Sequence, residues 1–412
     1  MKAIHSGVCV ECRARLHPIA EKLRLSPIAR AILEHPQRTI GVSIPLTMDN
    51  GSIRVFDGFR VQYNDALGPT KGGIRYHEGV GEDEVKELAF LMTIKNSLAG
   101  LPYGGGKGGI TVNPKELSQN ELERLTRGFV RALGTTVGPY TDVPAPDVNT
   151  TPEMMGWFAD EYAKVVGKPM PAVVTGKPVD KGGSRGRDVA TGLGGAYILD
   201  QYAVQEGWKP TECKVAIQGF GNVGGHIAHL LVERGYTVVA VSNSRGGVYR
   251  DTGFSAHELL EAQKNKTLPT GEEKTNADIL TLPVQILIPA ALSDQITRDN
   301  ANDIQAKLVL EMANAPTSVE ADAILFDRGI KVVPDILANS GGVIVSYFEW
   351  VQNLQGESWS EEDVAKKLKE KMTTAFGAVM ARAQKDAVDM RTASYFIAIE
   401  RVLEAEKKRG RV

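Results

Sequence analysis

The sequence predicts an α/β protein of two domains, the first with a mixed sheet and the second with a doubly wound parallel sheet, with an active-site cleft between them. Three observations predict this class. The chain has 412 residues, too many for one hydrophobic core. Its first half alternates apolar and polar residues on both sides of an Asp49-Asn50-Gly51 turn, the pattern of an antiparallel hairpin. Its second half alternates short apolar runs with helical stretches, the pattern of a parallel sheet covered by helices. A Gly-, Ser-, Thr- and Lys-rich stretch at 175–195 marks the boundary. The first domain is then 1–185 and the second 186–384, with a C-terminal helix at about 385–412 packing back on the first.

Composition narrows the class. Hydrophobic residues at 42% and charged residues at 24% are ordinary for a globular protein. A formal net charge of −2 argues against a nucleic-acid surface. No apolar run reaches the ~20 residues that cross a bilayer, and no apolar stretch follows the first lysine, so neither a membrane partner nor a secretion signal is expected. The three cysteines, Cys9, Cys12 and Cys213, fit a reducing, cytoplasmic compartment. Cys9 and Cys12 form a C-x-x-C, but no second pair at zinc spacing follows, so they read as bystander thiols and no metal is expected.

In the first domain, residues 15–35 read as helix, with Ser26-Pro27 as a start signal. Residues 40–64 form the hairpin. Residues 68–75, Gly-Pro-Thr-Lys-Gly-Gly-Ile-Arg, set Lys71 beside glycines. Residues 82–98 are a helix whose first turn is acidic, which suits the positive end of the dipole. Lys95 lies on its apolar stripe, either snorkelling at the helix end or aimed into a cleft. Residues 101–109, Leu-Pro-Tyr-Gly-Gly-Gly-Lys-Gly-Gly, surround Lys107 with five glycines and read as a loop. An activated lysine on a cleft floor and a solvated lysine on a flexible loop both fit. A phosphate loop does not, because Gly108 and Pro102 stand where it needs Ser or Thr and Gly. Ser118 and Glu121 open a helix over 118–133 as a capping box. Residues 142–149 follow, where two prolines flank Asp147, either a turn residue or, beside converging lysines, a general acid/base.

The second domain begins with a helix at 192–206. A strand at 214–218, Gly219-Phe220-Gly221-Asn222-Val223-Gly224, a helix to Gly235 and a strand at 237–241 then make a Rossmann-type βαβ unit. Its glycines let a pyrophosphate reach the helix N-terminus. Strands at 284–289, 307–311 and 330–333 extend the sheet. Ala290, Asn314 and Asn339 follow strand ends and are expected near the nicotinamide half of a bound coenzyme. The end of the second strand, where a carboxylate would grip a ribose hydroxyl, reads Ser242-Asn243-Ser244-Arg245. Asn243 can hydrogen-bond a hydroxyl, whereas Ser244 and Arg245 suit a 2′-phosphate, which favours NADP with NAD possible. From 360 the chain is charged helix.

These motifs, in this order, resemble the glutamate/leucine/phenylalanine/valine dehydrogenases, and most closely the hexameric glutamate dehydrogenases among them. The match runs from about Pro27 onward through G-P-T-K-G-G-I-R (68–75), L-P-Y-G-G-G-K-G-G (101–109), P-A-P-D-V (144–148), T-G-K-P (175–178), Q-G-F-G-N-V-G (218–224) and S-Y-F-E-W-V-Q-N (346–353). The resemblance implies that Lys71 binds the substrate side-chain carboxylate and Lys95 the α-carboxylate. It implies that Lys107 is catalytic, Asp147 is the proton shuttle, Ser346 also contacts the side-chain carboxylate, and Thr191 meets the nicotinamide amide. Relatives acting on apolar amino acids lack a lysine at the position of Lys71, so its presence points to a dicarboxylic substrate.

The implied activity is reversible NAD(P)-dependent oxidative deamination of L-glutamate to 2-oxoglutarate and ammonia by a homohexamer. Lys107, its pKa lowered by Lys71 and Lys95, would activate water. Asp147 would relay protons. A dehydrogenase for an apolar amino acid such as leucine, or a catalytically silent NAD(P)-binding protein, are the alternatives.

Overall fold

The computed structural model describes residues 10–412, with side chains from residue 16, so the side chains of Cys9 and Cys12 lie outside the described residues. The chain forms two compact units, Met1–Arg185 with Val343–Val364 and Tyr395–Val412, and Gly186–Gly342 with Ala365–Ser394.

In the first unit, α1 (Val10–Lys22) and α2 (Pro27–Glu34) replace the single helix expected over 15–35. Arg24, at φ 51°, breaks the chain between them. Ser26 then caps α2 by accepting from the Ala29 N–H. Next come β1 (Arg38–Thr47), β2 (Ile53–Asn64), β3 (Thr70–His77), α3 (Glu82–Leu98), β4 (Gly104–Thr111), α4 (Gln119–Leu133), β5 (Asp142–Pro146) and α5 (Pro152–Val166). The sheet order is β1-β2-β4-β3-β5. β2 pairs antiparallel with β1 and β4, and β3 runs parallel to β4 and β5, so the sheet is mixed. The capping box of Ser118 and Glu121 forms. Helix α5 was not anticipated, although Thr151-Pro152 is a start signal: Thr151 accepts from the Met154 N–H.

The glycine stretch at 101–109, expected as a loop, and the one at 68–75 are chiefly strands in the middle of this sheet. Glycine is disfavoured in strands except where another backbone approaches closely, and that is the case here. A Cβ at Gly105 would lie 2.0 Å from Thr93 Oγ1 and 2.4 Å from the Ala89 carbonyl of α3. A Cβ at Gly72 would lie 1.6 Å from the Gly106 carbonyl. On the other face, Gly106 and Gly108 leave room for the Arg60 side chain. Ile74, Tyr76 and Ile110 pack there with Leu125 and Phe129 of α4 and Met154 and Phe158 of α5.

In the second unit, α6 (Ala190–Glu206) precedes β6 (Lys214–Gln218), α7 (Asn222–Glu233), β7 (Thr237–Asn243), β8 (Gly246–Tyr249), α8 (Ala256–Lys264), β9 (Glu272–Lys274), α9 (Asn276–Leu280), β10 (Ile286–Pro289), β11 (Leu308–Leu310), α10 (Val319–Asp327), β12 (Lys331–Val333) and α11 (Asp335–Ala338). The order β12-β11-β10-β6-β7-β8-β9 reverses direction at β6, as a doubly wound sheet does. Strands β12 to β7 are parallel, but β8 and β9 add an antiparallel edge. The two-residue turn Ser244-Arg245 is too short for a crossover, so β8 must run back along β7.

Three helices complete the chain: α12 (Gly341–Gln355), α13 (Glu361–Asp386) and α14 (Met390–Lys408). The expected return to the first domain at about 385 is corrected in two places. Residues 343–364 already belong to the first unit, anchored by Trp350 Nε1 donating to the Pro139 carbonyl at 2.9 Å. Residues 365–394 stay with the second unit, and only 395–412 return, where Arg401 donates to the Ser97 and Leu98 carbonyls. Among the described residues no helix is long and apolar enough to cross a membrane.

Candidate active site

The polar centre of the first unit is built on β3, β4 and the end of β5. Lys107 lies on β4 and is buried. Its Nζ is 2.6 Å from Asp147 Oδ2, so the two predicted catalytic groups are in direct contact. Asp147 directly follows β5, and its N–H donates to Thr150 Oγ1 at 2.7 Å, while that hydroxyl donates to the Ile74 carbonyl of β3 at 2.9 Å. The aspartate is therefore a turn residue and a charged partner at once. A Cβ at Gly73 would sit 2.7 Å from Asp147 Cβ, so only glycine lets the carboxylate lie against β3.

Arg75 completes this centre. Its Nε donates to Asp147 Oδ1 at 2.9 Å, and its Nη1 is paired with Glu84 in the first turn of α3. Burial alone would raise the Asp147 carboxyl, but the Lys107 ammonium and the Arg75 guanidinium outweigh it and hold the group well below the usual carboxylate range. Sequence reasoning quoted Arg75 in a motif and gave it no role. The signal was available: a strand's period of two puts residues 71, 73 and 75 on one face.

Lys71 is almost fully buried on β3, opposite Gly105 and Val143 in register, and its Nζ donates to the Pro144 carbonyl at 3.2 Å. Lys95 is half-buried in the last turn of α3, the helix that packs on Gly105. Ser346 is buried on α12. That helix is fixed by a fully buried ion pair, Glu349 Oε1 to Lys177 Nζ at 2.7 Å, with the Gly176 N–H donating to Glu349 Oε2 at 2.8 Å. Tyr347 and Trp350 on the same helix stack edge-on against Tyr103, the residue that leads into β4. Two of the sequence blocks, T-G-K-P (175–178) and S-Y-F-E-W (346–350), thus meet in one ion pair.

Beneath β3 lies a second polar group, which sequence reasoning did not single out. Arg60 of β2 and Asp142 of β5 are both fully buried and joined by two contacts, Nε to Oδ2 at 2.8 Å and Nη2 to Oδ1 at 2.5 Å. Arg60 Nη1 also donates to the carbonyls of Gly72 at 3.2 Å and Gly73 at 3.3 Å.

In the second unit the predicted dinucleotide residues lie at strand ends, except Thr191 in α6 and Asn339 at the end of α11. Gly219 turns at φ +104°, and a Cβ there would lie 2.6 Å from the Ala291 N–H. A Cβ at Gly224 would lie 1.7 Å from the Gly219 carbonyl and 3.4 Å from Ala290. Gly221, the N-cap of α7, has nothing within 4 Å and no side-chain cap, which leaves a bare helix N-terminus of the kind that accepts a phosphate. Phe220, Asn222 and Val223 complete this turn. Asn243 ends β7, its Oδ1 accepting the Arg245 N–H at 2.9 Å, with Ser244 and Arg245 exposed beside it. Asn339 Nδ2 donates to Asn314 Oδ1 at 3.1 Å, and Thr191 Oγ1 lies 2.9 Å from where a Gly342 Cβ would stand. The residues present therefore fit a dinucleotide.

Sequence profiles agree with this geometry. The profile described as "Glutamate/Leucine/Phenylalanine/Valine dehydrogenase" matches residues 182–410, and that described as "Glu/Leu/Phe/Val dehydrogenase, dimerisation domain" matches residues 36–164. The chain belongs to the Glu/Leu/Phe/Val dehydrogenase family. It is 52% identical to a glutamate dehydrogenase of Thermotoga maritima over 92% of each chain. It is 47% identical to the NADP-specific glutamate dehydrogenase of Synechocystis sp. over 96% of each chain. It is 46% identical to the catabolic NAD-specific glutamate dehydrogenase of Bacillus subtilis over 92% of this chain and 90% of the relative. Among solved structures it is similar to the hetero-hexameric glutamate dehydrogenase of Thermus thermophilus in its leucine-bound form, with a TM-score of 0.91, 37% identity and 96% of each chain covered. Dehydrogenases of this family with either coenzyme are thus close to this chain, and its class is an NAD(P)-dependent amino-acid oxidoreductase.

Proposed function

We propose that this family member is a glutamate dehydrogenase in which Lys71, Lys95 and Ser346 hold substrate while Lys107 and Asp147 carry the proton chemistry. The direct Lys107–Asp147 contact, one strand from a buried Lys71, is the observation that supports this reading most. Lys71 neutralises the side-chain carboxylate of L-glutamate with Ser346 beside it, and Lys95 takes the α-carboxylate. Two fixed carboxylates leave one orientation of Cα, which converts binding into alignment. The coenzyme, when bound, supplies the nicotinamide that accepts the Cα hydride. Water then adds to the resulting iminium carbon of the substrate, where the Lys107 ammonium steadies the developing oxyanion. Asp147 passes the proton needed as ammonia leaves and 2-oxoglutarate forms.

Gly219 to Gly224 and the N-terminus of α7 take the pyrophosphate, and Thr191, Ala290, Asn314 and Asn339 surround the nicotinamide end. NADP is the favoured coenzyme, because Ser244 and Arg245 are exposed at the end of β7 and suit a 2′-phosphate, with Asn243 compatible with NAD. The reading takes the enzyme as a cytoplasmic homohexamer. The hexamer rests on the hetero-hexameric Thermus thermophilus relative.

The test is turnover of glutamate and of leucine, each with NAD and NADP, by the parent chain and by Lys71→Leu and Lys107→Ala. The reading expects glutamate to be preferred, Lys71→Leu to raise its KM by about tenfold or more, and Lys107→Ala to abolish turnover with coenzyme binding kept. Preference for leucine would replace the substrate, and coenzyme binding without any turnover would replace the enzyme by a binding protein.

A further inference from the structure

A buried charge cluster lies behind the nicotinamide-side loops of the second unit. Its centre is Arg391, near the start of α14. Nη2 donates to Glu311 Oε1 at 2.7 Å, Nη1 to Asp335 Oδ1 at 3.2 Å, and Nε pairs with Asp322 of α10. Glu311 is fully buried at the end of β11, and Asp335 is buried at the start of α11. One guanidinium thus faces three carboxylates, two of them buried and Asp322 partly exposed, and Asp389 stands behind Asp322. Such a cluster is not built for stability alone, since burying unbalanced charge is costly.

Its contacts lead to the two loops that carry Asn314 and Asn339. The Asp335 N–H donates to Glu311 Oε2 at 2.8 Å, and Asp335 Oδ2 accepts the Ala315 N–H at 2.8 Å. Ala315 has φ 45°, a left-handed conformation that a non-glycine residue keeps only when its surroundings hold it. One turn on, Asn339 Nδ2 reaches back to the Met312 and Ala313 carbonyls and to Asn314 Oδ1. The 312–315 loop is therefore gripped from both ends of α11, and the grip begins at Arg391 and Glu311.

We propose that Arg391, Glu311 and Asp335 are positioning residues that hold Asn314 and Asn339 in the geometry that binds the coenzyme, and that protonation of Glu311 loosens it. The proposal rests on the reading of the second unit as the coenzyme domain. Burial raises the Glu311 carboxyl, Arg391 lowers it, and Asp335 and Asp322 raise it again, leaving it at about 7. Above that pH both Glu311 oxygens accept, Oε1 from Arg391 and Oε2 from the Asp335 N–H. Below it one oxygen carries a proton, its contact weakens, and the hold on the strained loop slackens.

The experiment is a fluorescence titration of the full-length protein with NADH and with NADPH, from about pH 6 to about pH 8.5, for the parent, Glu311→Gln and Arg391→Lys. Comparing parent with Glu311→Gln removes any titration belonging to the coenzyme itself. As the pH falls across this range, the parent dissociation constant should rise by about fivefold more than that of Glu311→Gln. Arg391→Lys, which keeps the charge and loses the fork, should weaken coenzyme binding by about tenfold while the KM for 2-oxoglutarate stays unchanged. If Arg391→Lys does not fold, the isosteric Glu311→Gln decides. Parallel pH curves for the parent and Glu311→Gln overturn the proposal and leave the coenzyme domain intact. A parent that binds neither NADH nor NADPH overturns the coenzyme reading and the proposal with it.

Discussion

Replacing Arg60 by methionine tests whether the buried pair beneath β3 holds the substrate strand. The substitution keeps much of the aliphatic volume and removes the guanidinium. Asp142, fully buried, is then left with the Gln62 amide at 3.2 Å but no cation, and the Gly72 and Gly73 carbonyls lose a donor. Removing one member of a buried pair costs about 3–5 kcal/mol, because the remaining charge is uncompensated. For a unit of this size each kcal/mol shifts the melting temperature by roughly 2–4 °C, so Arg60→Met should melt about 6–20 °C lower. Arg60→Met with Asp142→Leu removes the stranded charge and should recover at least half of that loss, since an apolar replacement of a buried pair is often neutral. Thermal denaturation followed by circular dichroism reads both variants, at one protein concentration so that assembly does not alter the comparison. Because Arg60 holds the Gly72 and Gly73 carbonyls beside Lys71, the single variant should also raise the KM for glutamate. A single variant melting within about 2 °C of the parent, or a double variant no more stable than the single, would refute the reasoning.

Two further outcomes follow from the same sheet. Gly105→Ala should displace α3, because its Cβ would meet Thr93 Oγ1 at 2.0 Å and the Ala89 backbone at 2.4 Å; overpacking of this kind costs about 1–3 kcal/mol or more and should raise the glutamate KM through Lys95, whereas Gly41→Ala, with nothing within 4 Å, should behave as the parent. Arg75→Met should move the acidic limb of the kcat/KM profile to higher pH, since Asp147 is held low by Lys107 and Arg75 and stays a carboxylate over a wider acid range with both than with one. The same depressed carboxyl contributes stability that is present above its ordinary value of 3.8 and is lost as pH falls through the lower folded value, so the acid unfolding midpoint should rise in Arg75→Met. An acidic limb that does not move would detach Asp147 from the pH dependence of catalysis.

The second unit was the more legible in the sequence. Its βαβ unit announces itself because three glycines at 219, 221 and 224 answer three separate geometric demands at fixed spacing: a turn, an open approach and a tight helix contact. Local pattern also revealed the β1–β2 hairpin and the Ser118 cap, since each is decided by residues within a few positions of one another. The glycine stretch at 101–109 was misread as a loop for a physical reason. Its strand character is imposed by α3, packing so close to Gly105 that no side chain fits, and by neighbouring strands. Glycine by itself weakens a strand, so the local signal pointed the other way. The return of residues 343–364 to the first unit was hidden similarly. It depends on Glu349 finding Lys177 and on Trp350 finding Pro139, partners more than a hundred residues away that no periodicity foretells. Arg60, Asp142 and Arg391 were missed because a buried charge looks in sequence like any surface charge until its partner is placed.

The proposed catalytic pair, Lys107 and Asp147, depends on the same long-range assembly. Asp147 offers its two oxygens to two different cations, Oδ1 to Arg75 and Oδ2 to Lys107. Arg75 is anchored in turn by Glu84, so its hold on Oδ1 is structural, and the exchangeable side of the carboxylate is Oδ2. With the group held well below the ordinary carboxylate range, Asp147 is ionised, and in the proposed cycle it would have to accept a proton before giving one. Lys107, at 2.6 Å, stands where that exchange would pass, and Gly106 and Gly108 on either side of it are packed against Arg60 on the opposite face. On the proposed reading, the proton path would be confined to one oxygen by a residue four positions after Lys71 on the same face of β3. The K-G-G-I-R block would then do two tasks on one strand: its lysine would address the substrate carboxylate, and its arginine would decide which oxygen of Asp147 moves the proton.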